Sequence, residues 1–248
     1  RKITPAGVVT TFAGSGSTGN TDAVSTTAQF SASIYDIVAD SNNNLYVNDS
    51  GNYRIRKITP NGTVSTLAGS TSGATDATGT SAQFSTIVGL TIGPDDNIYV
   101  AGFANHRIRK VTPSGVVTTF SGSGTSGSSD GVSSTARFKN PVGVAFNSKG
   151  DLYVSDYNNH TIRKITPEGT VSTFAGTVGT SGTTDAVSTT AKFSQPDRIA
   201  FDNNNNLFVS DYNNSRVRKI TPNATVTTFA GSSSGFNDAT GTNAQFQS

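Results

Sequence analysis

The sequence has no Cys, no Met and no Trp in 248 residues, one Glu (Glu168) and two His (His106 and His160). Without cysteine there is no disulfide, no thiolate metal site and no cysteine nucleophile. Two His leave little room for a zinc site made of imidazoles, and no metal or cofactor is expected. No run of 18 apolar residues occurs, so no transmembrane helix and no membrane insertion are expected. Charged residues are 14% of the chain, too few for a coiled coil or helical bundle. Eighteen basic against 16 acidic residues give a net charge of +2. That balance argues against nucleic acid as a partner, because neutralising several phosphates needs a basic excess. The missing Met, with Arg at position 1, predicts a processed chain or a segment, so no signal peptide is left to read.

What fills the chain instead is Gly, Ser, Thr and Asn, arranged in a repeat. Arg-Lys, then Ile or Val, then Thr-Pro, starts at Arg1, Arg56, Arg109, Arg163 and Arg218, at spacings of 55, 53, 54 and 55. The units are 1–55, 56–108, 109–162 and 163–217, with a partial unit at 218–248. Each unit holds four short runs of β-branched and aromatic residues divided by Gly, Pro and Asn clusters, the pattern of strands and turns. In the third unit these are 116–120, 142–146, 152–155 and 161–165. Four strands per period near 54 residues predict an all-β fold, a β-propeller of four-stranded antiparallel blades. One such blade cannot cover its own faces, so blades must stack. The whole chain reads as a single domain of this kind.

Several segments resemble NHL repeats: Ile98-Tyr99-Val100 with Asn105-His106-Arg107-Ile108, Leu152-Tyr153-Val154-Ser155-Asp156 with Asn159-His160, and the opening Pro141-Val142-Gly143-Val144-Ala145. The longer form, with an Ala-Gly and Asp-rich insert before each opening, resembles extracellular bacterial NHL-repeat proteins and the NHL part of teneurins. Tyr53 and Ser215 depart from the pattern's His, Gly102 from its Asp, and Arg198 from its opening Gly. With strands lettered a to d from the inside of each blade outward, strand a is predicted at 34–40, 87–92, 142–146 and 198–201, and strand b at 45–48, 98–101, 152–155 and 207–210. The chain then holds strands c and d of one blade and four whole blades. Five or six blades would close it; the resemblance implies six. Either a longer chain or another chain would supply the missing strands.

Asp22, Asp76, Asp130, Asp185 and Asp238 each stand eight residues before a Phe, with Ala two before that Phe. Constant spacing predicts architecture rather than calcium binding: an Asx- or Ser/Thr-capped helical turn that places Phe between blades. Asp49, Asp156 and Asp211 follow strand b and are expected to cap the b–c loop. His106 and His160 read as turn packing. The Arg-Lys pairs are expected to pack their stems between blades and leave their charged heads in water.

In a repeat protein, binding is sought where the repeat breaks, on the face that carries the longer loops. The b–c loops and d–a inserts share one end of each blade. At the mouth of strand a, Val88-Gly89 and Val142-Gly143 give way to Tyr35-Asp36 and Asp197-Arg198. The b–c loops add Phe103, Tyr157 and Tyr212 in register. These seven residues, Tyr35, Asp36, Phe103, Tyr157, Asp197, Arg198 and Tyr212, are the expected ligand-binding set, with rings suited to stacking on sugars or peptides. The sole Glu168 lies in a c–d turn and both His lie in repeat loops, so the chain is expected not to be an enzyme. The reading is a non-catalytic extracellular or cell-surface module, of bacterial secreted type, that binds a protein or glycan. A structural block of a surface fibre, self-associating through its open blade, is the alternative. RNA binding and a lactonase- or lyase-type enzyme are lesser ones.

Overall fold

The computed structural model describes residues 1–247 and is all-β, with only three-residue 3₁₀ turns besides strands. The N-terminal strands β1 (Lys2–Ile3) and β2 (Val9–Thr10) form a two-stranded sheet. β3 (Ala23–Val24) joins β4 (Ile34–Ala39), β5 (Leu45–Asp49), β6 (Arg54–Ile58) and β7 (Thr63–Ala68) in a five-stranded sheet ordered β3-β7-β6-β5-β4. β8 (Ile87–Ile92), β9 (Ile98–Gly102), β10 (Arg107–Val111) and β11 (Val117–Ser121) form a four-stranded sheet in chain order. So do β12 (Pro141–Phe146), β13 (Leu152–Asp156), β14 (Thr161–Ile165) and β15 (Val171–Ala175), and again β16 (Pro196–Phe201), β17 (Leu207–Asp211), β18 (Arg216–Ile220) and β19 (Val226–Ala230). These antiparallel meanders are propeller blades, as the repeat predicts. The short pairing of β3 with the outermost strand was not foreseen; Ala23 and Val24 lie in an insert that reads as loop.

By its contacts the chain divides into two compact units, residues 1–100 with 109–118, and 101–108 with 119–248. The first has a core around Tyr46, Ile55, Phe84, Ile87, Leu90 and Ile98. The second has one around Ile162, Phe193, Leu207, Val209, Ile220 and Val226.

Local chemistry explains the turns. Asp40 Oδ1 accepts the N–H groups of Asn42 and Asn44 at 3.0 and 2.8 Å, and Asp202 Oδ1 those of Asn204 and Asn206 at 2.9 and 2.8 Å. These Asx turns let Asn43 and Asn205 sit at φ +58°, which asparagine tolerates. The hairpin between β14 and β15 closes with Gly169 N–H donating to Thr166 O, with Gly169 at φ +87°.

The charged half of the repeat departs from expectation. The Arg heads are not in water: Arg56, Arg163 and Arg218 are 0% exposed. Arg163 reaches Asp156 at 2.8 Å and Asp130 at 2.5 Å, donates to the carbonyls of Arg137 and Ser129, and lies 5.3 Å from the centre of the Phe138 ring. Arg218 does the same with Asp211, Asp185 and Phe193, and Arg56 with Asp49, Asp22 and Phe30. Arg109 pairs with Asp76 over Phe84. The regular Asp-to-Phe spacing is therefore architecture, but by ion pairing and not by a capped helix. The 3₁₀ turns in the inserts carry no side-chain cap. Instead Asp130 also accepts the N–H of Thr173, and Asp185 that of Thr228, tying insert to strand d. Asp156 and Asp211 accept backbone N–H groups from Lys139 and Ser194, at the end of an insert, and hold the b–c loop through the side-chain amides of Asn159 and Asn214. These acceptors take up the two terminal nitrogens of each guanidinium, which makes its burial tolerable, while the Nε of Arg56, Arg163 and Arg218 stays buried without a partner.

Candidate functional site

Strand a carries a β-bulge at its mouth. Pairing of β12 with β13 skips from Pro141 to Val144, that of β16 with β17 from Pro196 to Ile199, and that of β4 with β5 from Ile34 to Ile37. The skipped pairs are Val142-Gly143, Asp197-Arg198 and Tyr35-Asp36. A bulge frees a pair from the ladder and re-aims its side chains, which is why such positions suit a site. Strand b supplies the replacement acceptors. Gly143 N–H donates to Ser155 Oγ at 2.6 Å, which itself donates to Asp197 O at 2.5 Å. Arg198 N–H donates to Ser210 Oγ at 2.8 Å, and the N–H groups of Tyr35 and Asp36 both donate to Asn48 Oδ1 at 2.8 Å. A Cβ on Gly143 would collide with the Asp197 carbonyl, so the small residue there reflects close backbone approach.

The candidate residues fall into two groups. Tyr35 and Asp36 are in the first unit, Tyr35 at 49% exposure. They line a cavity of about 430 Å³ with Phe12, Phe30, Ile34 and Ile37. Asp36 Oδ2 accepts the N–H of Leu90 at 2.9 Å and so also holds β8.

The other five are in the second unit. Phe103 and Tyr157 meet edge to face at 6.2 Å. The Tyr157 hydroxyl is pushed above its usual value by burial, and further by the neighbouring Asp197 and Tyr212. Asp197 pairs with Arg198 at 3.7 Å. Tyr212 is 41% exposed.

Alongside these rings runs a row of side-chain amides that the sequence reading missed. Asn140 Nδ2 donates to Phe103 O at 3.0 Å, Asn158 Nδ2 to Asn140 Oδ1 at 2.9 Å, Gln195 Nε2 to Asn158 Oδ1 at 3.0 Å, and Asn213 Nδ2 to Gln195 Oε1 at 2.5 Å. The first and third stand two residues after the insert Phe, where earlier units have Ala32 and Thr86; the others replace Gly51 and Ala104 of the b–c loop. Aligning units would have exposed them as a break in the repeat.

The His residues hold this row in place. Asn140 N–H donates to His106 Nδ1 and Gln195 N–H to His160 Nδ1, each at 3.1 Å. Both imidazoles are pushed below their ordinary value, chiefly by burial, which keeps the accepting nitrogen unprotonated. The turn-packing role expected of them is thus a specific one. Among the described residues, no three His, Cys, Asp or Glu side chains cluster in a way that could hold a metal ion, and no helix is long and apolar enough to cross a membrane.

Bulged four-stranded meanders, repeated with a buried Arg in strand c, define the class: this is a β-propeller protein. Two of its repeats match the NHL repeat model, at residues 138–165 and 193–220. The chain is 39% identical over 95 residues to Protein SUPPRESSOR OF QUENCHING 1, chloroplastic, of Arabidopsis thaliana, across 38% of this chain and 9% of that protein. It is 39% identical over 89 residues to human NHL repeat-containing protein 2, across 36% of this chain and 12% of the relative. Among solved structures it is similar to an auxiliary nutrient binding protein from Bacteroides ovatus, with TM-score 0.65 and 17% identity over 90% of this chain and 56% of that one. It also resembles virginiamycin B lyase from Staphylococcus aureus, with TM-score 0.55 and 17% identity over 79% of this chain and 55% of that one. The chain thus spans about half the length of these solved structures. The lyase corrects the expectation that this chain is not an enzyme. The fold is shared by an enzyme as well as by binding proteins, so neither Glu168's position nor the repeat-bound His excludes catalysis.

Proposed function

We propose that this chain is a ligand-binding propeller module that takes a protein or glycan, outside the cell or at its surface, on the loop-rich end of its second unit. The observation that carries this is the gathering of Phe103, Tyr157 and Tyr212 beside Asp197 and Arg198, where the repeat is broken. Apolar rings with a few placed polar groups are the usual lining of ligand sites. The similarity to auxiliary nutrient binding proteins of Bacteroides points the same way. The test is binding of the purified chain to arrayed glycans and secreted proteins, with Tyr157→Ala and Tyr212→Ala as variants. Loss of the captured ligand in both variants, without loss of folding, is the expected result. Unchanged binding in both would remove the site from this end.

A second reading rests on β4. Ile37 is 55% exposed while Leu90, at the same position of β8, is 3% exposed. Ile34 and Tyr35 extend that apolar face. A second copy of the chain packing there would make a surface assembly. Light scattering decides it: a defined oligomer that Ile37→Lys converts to monomer supports assembly, and a monomer at all concentrations rejects it.

A further inference from the structure

The row Asn140, Asn158, Gln195 and Asn213 is a chain of amides in which each carbonyl oxygen but the last accepts from its neighbour. A carboxamide has two N–H donors and an oxygen with two lone pairs. Asn158, Gln195 and Asn213 each spend one N–H within the row and Asn140 spends one on Phe103 O, while the oxygens of Asn140, Asn158 and Gln195 each take one bond in the row. Every member therefore retains a donor and acceptor capacity for a ligand. The row also fixes which way each amide points, so the donors are ordered before a ligand arrives. Pre-ordering of this kind lowers the entropic cost of binding.

What chemistry fits is set by three features. The row is uncharged, and the charges beside it are Asp197 and Arg198, which face each other at 3.7 Å, and Lys139, next to Asn140. Its groups offer donors and acceptors in alternation, which matches hydroxyls, since each hydroxyl both donates and accepts. It is flanked by aromatic rings, whose apolar faces suit the C–H face of a pyranose. An extended peptide would ask instead for a free strand edge, and a phosphate backbone for uncommitted cations.

We infer that the amide row and its flanking rings Tyr157 and Tyr212 form a binding site for a neutral oligosaccharide. This rests on the ligand-binding reading above and adds the ligand class and the hydrogen-bonding residues. The same four positions in the earlier units are Ala32, Gly51, Thr86 and Ala104, none of which can make such a row, so the site is single.

The probes are arrays of neutral hexose oligosaccharides, acidic oligosaccharides and extended peptides, followed by calorimetry on hits. Two variants act on the row: Asn158→Ala, which cuts it in the middle, and Asn213→Asp, which keeps size and acceptors while removing two donors. Thermal melting confirms that each is folded. The expected result is binding of neutral oligosaccharides, weakened at least tenfold by each variant. Three results would overturn the inference: no binding of any neutral oligosaccharide, such binding unchanged in both variants, or binding of acidic sugars or peptides only. In the last case, loss of the peptide with Tyr157→Ala would leave the broader binding reading standing while this one falls.

Discussion

The buried Arg cluster and the amide row are built from the same polar vocabulary and differ in repetition. The first recurs with near-identical geometry: Asp at 2.7–2.8 Å from the strand-c Arg on the interior side in Arg56, Arg163 and Arg218, and a Phe ring 4.9–5.3 Å from the guanidinium. The second occurs once, on Asn140, Asn158, Gln195 and Asn213. Polar groups that recur from blade to blade spend nearly all their hydrogen bonds on the fold, although the Nε of Arg56, Arg163 and Arg218 is buried without a partner. Polar groups that appear once keep donors to spare. The comparison therefore separates residues whose loss should unfold the protein from residues whose loss should only silence it.

The sharpest break of that division is Arg163→Ala. It strands Asp156, itself fully buried, without its cation, and should cost about 3–5 kcal/mol in chemical denaturation. Phe193→Ala, which empties the space beneath Arg218, should cost about 3–4 kcal/mol, measured the same way. Gly143→Ala is smaller, about 1–3 kcal/mol, because the new methyl must push the β16 backbone away at Asp197.

The pH response sits on the boundary between the two regions. His106 and His160 have folded values below the ordinary 6.5, so the folded state binds their protons less readily than the unfolded chain. Their contribution to stability is full above pH 6.5 and falls as acid drops below it. Asp156 acts in the opposite sense. Burial lifts its carboxyl to about 6 from 3.8, so its contribution rises as pH falls through that window. Melting temperatures from pH 7.5 to 5 should show the double variant His106→Asn with His160→Asn losing the acid-induced decline relative to the unaltered protein. An equal decline in both would mean that the imidazoles are not the acceptors holding Asn140 and Gln195. The smallest effect belongs to Asn158→Ala, whose melting should stay within about 0.5 kcal/mol of the unaltered protein because it touches only the half-buried row.

Sequence reading reached different depths in the two regions. The strands were legible because β-branched runs and Asn or Thr-Pro turns mark them locally: β8 spans the expected 87–92, and β5, β13 and β17 run one residue past the expected ends. The Asp-to-Phe segment was legible as architecture, since its spacing never varies. Its mechanism was not, because the Arg that binds Asp130 is 33 residues away and strand alternation alone does not say which of Arg163 and Lys164 turns inward. The aromatic candidates were legible from register in the b–c loop. The amides were not, because single Asn and Gln residues in an Asn-rich chain carry no local signal until the fold lines up residues 140, 158, 195 and 213. The bulge explains why Tyr35-Asp36 and Asp197-Arg198 can replace a small apolar pair: they stand outside the ladder, where a larger side chain need not disturb strand pairing.

The most direct test is nuclear magnetic resonance of the side-chain amide groups during titration with a neutral oligosaccharide found on the array. The account predicts that the NH₂ signals of Asn140, Asn158, Gln195 and Asn213 shift together and saturate at one ligand per chain, while the guanidinium signals of Arg163 and Arg218 stay in place. Saturable shifts confined to other residues, with the four amides unmoved, would contradict it.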